Sequence, residues 1–532
     1  MKQTNSAIKF LMAQYRAVFR NAQIKMFLAA APAAIMLSMN LAYAAPGNNI
    51  WDLEDFSTAR DDQTNTLAPE TVTKESTIYM GDSSAQFDQD GFMYSGFTGT
   101  TQTTTVISGS TAQVTITGAK DKHLAVNGLT LRDGAKLVIN NDETTNTTLY
   151  GYDQNSQDAP STDANFGPFK VYGSTIEANR AALKFHNVNL YSGSIITLGG
   201  MITADKTAGF TDADWTLYSN ISATFNQNGG VFSSQNSTIN LNHESNVIGS
   251  HGVEVSGGSV NFNGKVHDDG YATANLISSD ATSGTVTIKG DSKLNVNGDG
   301  AIYANKINLT NASATIASDK KLFLDGMWTN NTAANAGSHA VSAITMNGFK
   351  VDGEGTLEIG NNGSQSTVEI THKVEINSAL ANHAEITVNG ENSSLQISSD
   401  KLASRKGVFA SPNGKLLLKD KATLTLTDEE AVDLGNFIYA NDNAASNSIA
   451  VSGEASIAVK NAQITNGFGI KGSNKLHIVS TNVELGTSET NNKNFALGLG
   501  TDGSISAEKV TFNLSSLCEF YTTLQVKAIF IE

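Results

Sequence analysis

The chain has 532 residues with 35 basic and 51 acidic groups, a formal charge of −16, so its surface repels nucleic acid and anionic lipid. One cysteine, Cys518, excludes an intramolecular disulfide, leaving packing and backbone hydrogen bonds to hold the fold. Glycine is plentiful (47), proline is scarce (6), and 39% apolar content is too high for a disordered chain.

Residues 1–44 carry Lys2, Lys9, Arg16, Arg20 and Lys25 with no acidic group, then an apolar run from Met26 to about Met39 and small residues at Ala42 and Ala44. A positive lead-in, an apolar stretch and a small-x-small site make a secretory signal peptide, cut between Ala44 and Ala45. A membrane anchor competes, but Pro32, Asn40 and the alanine content weigh against it. No other stretch approaches the roughly 18 apolar residues of a spanning helix, so the mature chain is expected to have no transmembrane segment. Removing residues 1–44 takes the charge to −21 and leaves four arginines, Arg60, Arg132, Arg180 and Arg405. That scarcity argues against dedicated phosphate or carboxylate recognition.

Residues 45–75 are acidic, polar and irregular in pattern, and are expected to cap the repeats that begin at 76. From 76 to 516 a short alternating run recurs, each ending in Gly, Asn or Asp: "STINLN" (237–242), "GSVNFNG" (258–264), "TVTIKGDSKLNVNG" (285–298), "KINLTNASATIAS" (306–318), "STVEITHKVEI" (366–376). Apolar residues at i and i+2 give strands with one face buried, and Asn-Gly or Gly-Asp accepts the left-handed backbone of tight corners. Ile239/Leu241 is followed by Val260/Phe262, Val286/Ile288, Ile307/Leu309, Ile344/Met346, Val368/Ile370 and Ile386/Val388, with Leu294/Val296 and Val374/Ile376 between. A repeat near 20 residues marks a solenoid. The fold class is therefore all-β, a right-handed parallel β-helix; roughly 20 coils at ~4.8 Å each make a rod of about 100 Å. Immunoglobulin-like sandwiches call for a core Trp and fuller strands, and a membrane barrel needs longer strands with aromatic girdles.

Three stretches break the pattern: 140–168, with Tyr150, Tyr152 and Phe166, then 206–216 and 327–340. The first is expected as a loop projecting from a corner, and exposed aromatics on a rigid scaffold are where binding resides. Residues 517–532, "LCEFYTTLQVKAIFIE", abandon the register. They are expected to reflect truncation or a frameshift, with an edge-covering strand or helix as the alternative.

Catalytic patterns fail one after another. "GDSSA" (81–85) offers Ser83 or Ser84 as a nucleophile, but the first histidine, His123, follows it, the reverse of the order in chymotrypsin-like proteases. "GSHG" (249–252) and "HDDG" (267–270) resemble the His and paired Asp of polygalacturonases, where two carboxylates supply acid and base. Here Asp268 and Asp269 follow His251 instead of preceding it, and no Arg-Ile-Lys segment is present. "NVNGDGAIYANK" (295–306) spaces Asn295, Asn297, Asp299 and Gly300 like a calcium loop, but Lys306 stands where a bidentate Glu is needed. The nine histidines form no zinc-binding pair, and His243 and His251 are expected at the surface or at corners. No catalytic, cofactor or metal residue is therefore assigned.

The basic lead-in with Phe10, Tyr15, Arg16, Phe19 and Arg20, the Ala-x-Ala site and the Ser/Thr/Asn/Gly-rich repeats together resemble bacterial autotransporters. Within that group the chain is similar to the passengers of AIDA-type adhesins. The resemblance implies an extended signal that slows export, periplasmic chaperones in transit, and display at the cell surface or outer membrane. It also implies a non-enzymatic role in attachment to glycans or proteins of host or sister cells, with possible self-association. Family members end in a translocator barrel of about twelve strands, which this sequence lacks; without one supplied, the chain is expected to stay in the periplasm. Two alternatives remain open, a carbohydrate-active β-helix enzyme and a non-functional remnant.

Overall fold

A strand with apolar residues at every second position buries one face only, and a stack of such strands can share that face. The computed structural model describes strands and connections between residues 71 and 514; residues 1–70, 515–532 and several intervening segments, the longest being 152–167, 200–219, 327–342, 398–414 and 428–447, lie outside the described residues. The chain divides into the units Met1–Asp52 and Leu53–Glu532, and all that is described belongs to the second. The signal segment, the Ala44/Ala45 site, residues 45–70 of the expected cap, Ser83, Ser84, and residues 206–216, 327–340 and 517–532 lie outside the described residues.

The described residues are all-β and form a parallel β-helix. Where the coil is described throughout, it lays down three strands in turn, as in Thr285–Lys289, Lys293–Val296 and Gly300–Tyr303. We name these the first, second and third faces. First- and second-face strands belong to one 30-stranded sheet, and third-face strands from Phe92 to Asn382 form an 11-stranded sheet. Pairing between successive coils is parallel and in register: Thr285–Lys289 lies against Lys306–Thr310, and Lys293–Val296 against Ser313–Ile316. No helix among the described residues is long and apolar enough to cross a membrane.

Stacking puts like on like. Val253, Val286, Ile307, Ile344, Val368 and Ile386 form one buried column, and Val255, Ile288, Leu309, Met346, Ile370 and Val388 form its neighbour. At roughly 1.5–3 kcal/mol for each fully buried aliphatic side chain, these columns are the main source of cohesion. Val231–Leu241 and Gly252–Phe262 run unbroken through the first and second faces, bending at Asn236 and at Gly257 and Gly258, all with positive φ.

Among the described residues, the corner between first and second faces is short. Its residues adopt the left-handed conformation at Asp133 and Gly134, Gly173, Gly193, Asn236, Gly290 and Asp291, Asn311, Gly348 and Gly390, which is the chemistry that Gly, Asn and Asp tolerate. The last corner residue is small and buried in coil after coil: Ala112, Ala135, Ser174, Ser194, Ser237, Ser292 and Ala312. The buried serines donate back to carbonyls of the first face, Ser194 Oγ to Val171 O at 2.9 Å and Ser237 Oγ to Tyr191 O at 2.9 Å. This satisfies hydroxyls that burial would otherwise leave without partners.

Three expectations need correction. The spacing links Val260/Phe262 to Val286/Ile288, yet Val260 and Phe262 pair with Leu294 and Val296 on the second face. Val286 and Ile288 continue Val253 and Val255 on the first. The expected loop at 140–168 is interrupted by Thr147–Gly151, a third-face strand paired with Lys122–Val126 and with Ala181–Lys184; Tyr150 is accordingly buried, not projecting. Residues 71 and 72, taken into the cap, are a first-face strand paired with Val106 and Ile107.

Asn311 sits at a corner with φ 48°, its amide N–H donating to Asn347 O at 2.8 Å. A β-branched side chain is disfavoured there by about 1–2 kcal/mol. Asn311→Val should lower the urea midpoint by that amount in equilibrium unfolding, while Asn311→Gly leaves it nearly unchanged.

Candidate functional site

Residues that alternate away from the core on the second face form columns along the stack, and three coils align asparagines there. In the central column Asn240 Nδ2 donates to Thr197 Oγ1 (3.0 Å), Asn261 Nδ2 to Asn240 Oδ1 (2.6 Å) and Asn295 Nδ2 to Asn261 Oδ1 (2.7 Å). A second column follows two residues on, Asn263 to Asn242 (3.0 Å) and Asn297 to Asn263 (3.3 Å). On the third face Asn275 donates to Asn246 at 2.8 Å. Every amide in a column points the same way, so each bond polarises the next and the chain is stronger than isolated pairs. In-register stacking places the amides, and their donor and acceptor ends are matched to a spacing of about 4.8 Å between coils.

Both second-face columns run toward one groove of about 490 Å³. Thr197, the acceptor that ends the central column, and Asn242, which ends the other, both line it, with Val138, Glu177, Asn179 and His243. The Glu177 carboxylate is held by Lys136 Nζ at 2.8 Å, and Asn179 Nδ2 donates to Asn140 Oδ1 at 3.1 Å. His243 Nδ1 is hydrogen-bonded to Thr273 Oγ1 at 2.7 Å, and its Nε2 lies 3.6 Å from Glu244 Oε1. Gly199 forms part of the groove wall, and a Cβ there would meet Asn242 Cβ at 3.2 Å. The groove is thus lined by amides, a hydroxyl, an imidazole and one ion-paired carboxylate, a set suited to ligands with many hydroxyls.

Glu177 is the only carboxylate among the described groove residues, whereas glycosidic hydrolysis calls for two, roughly 5–9.5 Å apart. His251 lies instead at the corner from the third face to the first, its ring Nδ1 3.3 Å from Ser250 Oγ and its N–H donating to Gly230 O. Asp268 and Asp269 lie outside the described residues. Burial, with the nearby His251, holds the His186 imidazole below its usual range. The residues of the calcium-like segment are committed elsewhere: Asn295 and Asn297 to the columns, and the buried Asp299 carboxylate to Lys321 N at 2.9 Å. Among the described residues no three His, Cys, Asp or Glu side chains converge as a metal site.

Titratable groups outside the catalytic patterns gather on the outer side of the third face. Tyr150 is in register with Lys184, whose Nζ lies 5.4 Å from the ring centroid, and the His123 ring meets Tyr150 edge-on at 5.5 Å. Burial pushes the Lys184 ammonium below its usual range and the Tyr150 phenol above it. Farther along, Tyr303 and Phe323 form a buried apolar cluster with Ala272 and Ala301. Lys321 bridges to Glu358 at 3.1 Å beside it. No known protein family, characterised protein or solved structure matches the chain.

Asn261 both donates and accepts in the central column, so removing it leaves the Asn240 acceptor and the Asn295 donor unmatched. Asn261→Ala should destabilise by about 1–3 kcal/mol in urea unfolding, more than Asn389→Ala at a strand end. An equal effect at the two positions would show that the amide chain adds nothing.

Proposed function

We propose that the chain is the β-helical passenger of an autotransporter-like adhesin, a non-enzymatic attachment protein. Residues 1–44 direct export, periplasmic chaperones accompany the chain in transit, and a translocator carries it to the cell surface. There it attaches to glycans or proteins of host or sister cells, using the stacked coils as a scaffold and outward polar columns as the contact surface. The resemblance of the leader and repeats to AIDA-type passengers supports this reading. So does a net negative, arginine-poor composition, which suits a hydrated surface more than an anion-binding site.

The observation that carries it is the convergence of two amide columns on one groove. Hydrogen-bonding groups at regular spacing favour an extended, repetitive, hydroxyl- or amide-rich partner, and many weak contacts along such a partner add through effective concentration. The single ion-paired carboxylate in the groove suits recognition more than bond cleavage.

Surface display of the chain on a non-adherent bacterium, followed by counting bound host cells and sister-cell aggregates, tests the proposal. The displayed chain should raise attachment severalfold. Gly199→Val, which places a side chain against Asn242, should return it toward background with unchanged circular dichroism. Full attachment by a folded Gly199→Val variant would remove the groove from the account. Release of reducing sugar from pectin-like substrates, lost in His251→Ala and Asp268→Ala, would overturn the non-enzymatic reading.

A further inference from the structure

Tyr172 and Tyr191 end the first-face strands Phe169–Tyr172 and Val188–Tyr191 of adjacent coils, directly in register. Their rings are parallel, with centroids 4.3 Å apart and an interplanar angle of 0°. The contact is on the surface: Tyr172 is 40% exposed and Tyr191 is half-buried. Partial burial, with the neighbouring Tyr172 phenol, holds the Tyr191 phenol above its usual range.

The backbone beneath both rings is fixed. Val171 and Leu190, one residue earlier, are buried in the core, and Gly173 and Gly193, at the corners just after the two strands, take the left-handed conformation with φ of 51° and 82°. Ser174 Oγ donates to Tyr172 O at 2.9 Å, and Ser194 Oγ to Tyr191 O at 2.6 Å. A Cβ at Gly193 would lie 3.6 Å from Gly173 Cα, so the two corners also nest. Each ring gives one face to the other, which takes away a platform for sugar stacking. Tyr172 keeps 40% of its surface open and Tyr191 is half-buried, so the stacked pair is reachable from solvent. The Phe169–Phe185 contact, at 4.7 Å, is fully buried and carries no phenol.

We propose that Tyr172 and Tyr191 form an oxidative cross-linking site, joined ortho carbon to ortho carbon as dityrosine when a haem peroxidase and hydrogen peroxide act on the folded chain. Each phenol loses one electron and one proton to become a phenoxyl radical. The radicals couple through a new C–C bond, and the hydrogen on each coupled carbon moves to the phenol oxygen, restoring both aromatic rings. One hydrogen peroxide accepts the two electrons and two protons and leaves as two waters. In-register stacking brings the partner ring close before oxidation, so coupling within the chain outpaces coupling between chains. The bond staples neighbouring coils in a chain whose single cysteine gives no internal disulfide. It is independent of the attachment role proposed above.

The test treats the purified full chain with a haem peroxidase and a limiting amount of hydrogen peroxide. Readouts are dityrosine fluorescence and mass spectrometry of proteolytic fragments. The expected product is a monomer in which the fragment containing Tyr172 is joined to that containing Tyr191, lighter than their sum by the two hydrogens lost. Tyr172→Phe and Tyr191→Phe keep the ring stack and remove one oxidisable phenol; each should abolish that product, while Tyr152→Phe retains it. Circular dichroism verifies that each variant is folded. A dominant cross-link between chains, a cross-link among other tyrosines, or a Tyr172–Tyr191 product formed equally in urea would overturn the proposal.

Discussion

In-register stacking of parallel coils is the constraint on which the rest of this structure depends. Backbone N–H and C=O groups of a rung find their partners in the rung before or after, so a coil is not free to slide relative to its neighbours. A slip of one residue would turn Ile239 and Leu241 outward and Asn240 into the core. The corner between first and second faces therefore stays short and left-handed, at Gly193, Asn236, Asn311 and Gly348 alike. The same register then builds columns: aliphatic inside, small at the corner, amide or hydroxyl outside. Single residues matter less than the column to which each belongs.

Outward columns convert this regularity into a surface. Asn240, Asn261 and Asn295 meet at hydrogen-bond distance because the coils do, and Tyr172 and Tyr191 stack for the same reason. Neither arrangement needs special local geometry. Where the columns stop, at Thr197 and Asn242, their bonding groups face a groove. These groups form a fixed array of donors and acceptors, with the entropy of ordering them already lost on folding.

Much of the fold is legible in the sequence, for identifiable reasons. Period-two runs such as "STINLN" and "KINLT" mark strands with one wet side, and the Gly, Asn and Asp between them mark corners with positive φ. Assignment of strands to faces is not legible. First- and second-face strands such as Thr285–Lys289 and Lys293–Val296 share one pattern, so spacing links Val286 to Val260 when its neighbour is Val253. Third-face strands hide for the opposite reason. Gly300–Tyr303 and Thr356–Ile359 are buried on both sides, which erases the alternation, and Thr147–Gly151 reads as loop because polar residues surround it. Of the candidate site, the asparagines stand in plain view within the repeats. Their convergence on Glu177 and Thr197 depends on register between coils, which no local window contains.

The register itself can be measured by disulfide trapping in a Cys518→Ser background. Adjacent parallel strands lie about 4.8 Å apart, within the Cα separation that a disulfide accepts. Glu254 and Thr287 are paired partners on the first face; Asn261 stands on the second, paired with Asn295. Under mild oxidation, Glu254→Cys with Thr287→Cys should close an internal disulfide nearly completely, and Asn261→Cys with Thr287→Cys should stay reduced. Trapping of the second pair with failure of the first would contradict the stacked three-faced coil.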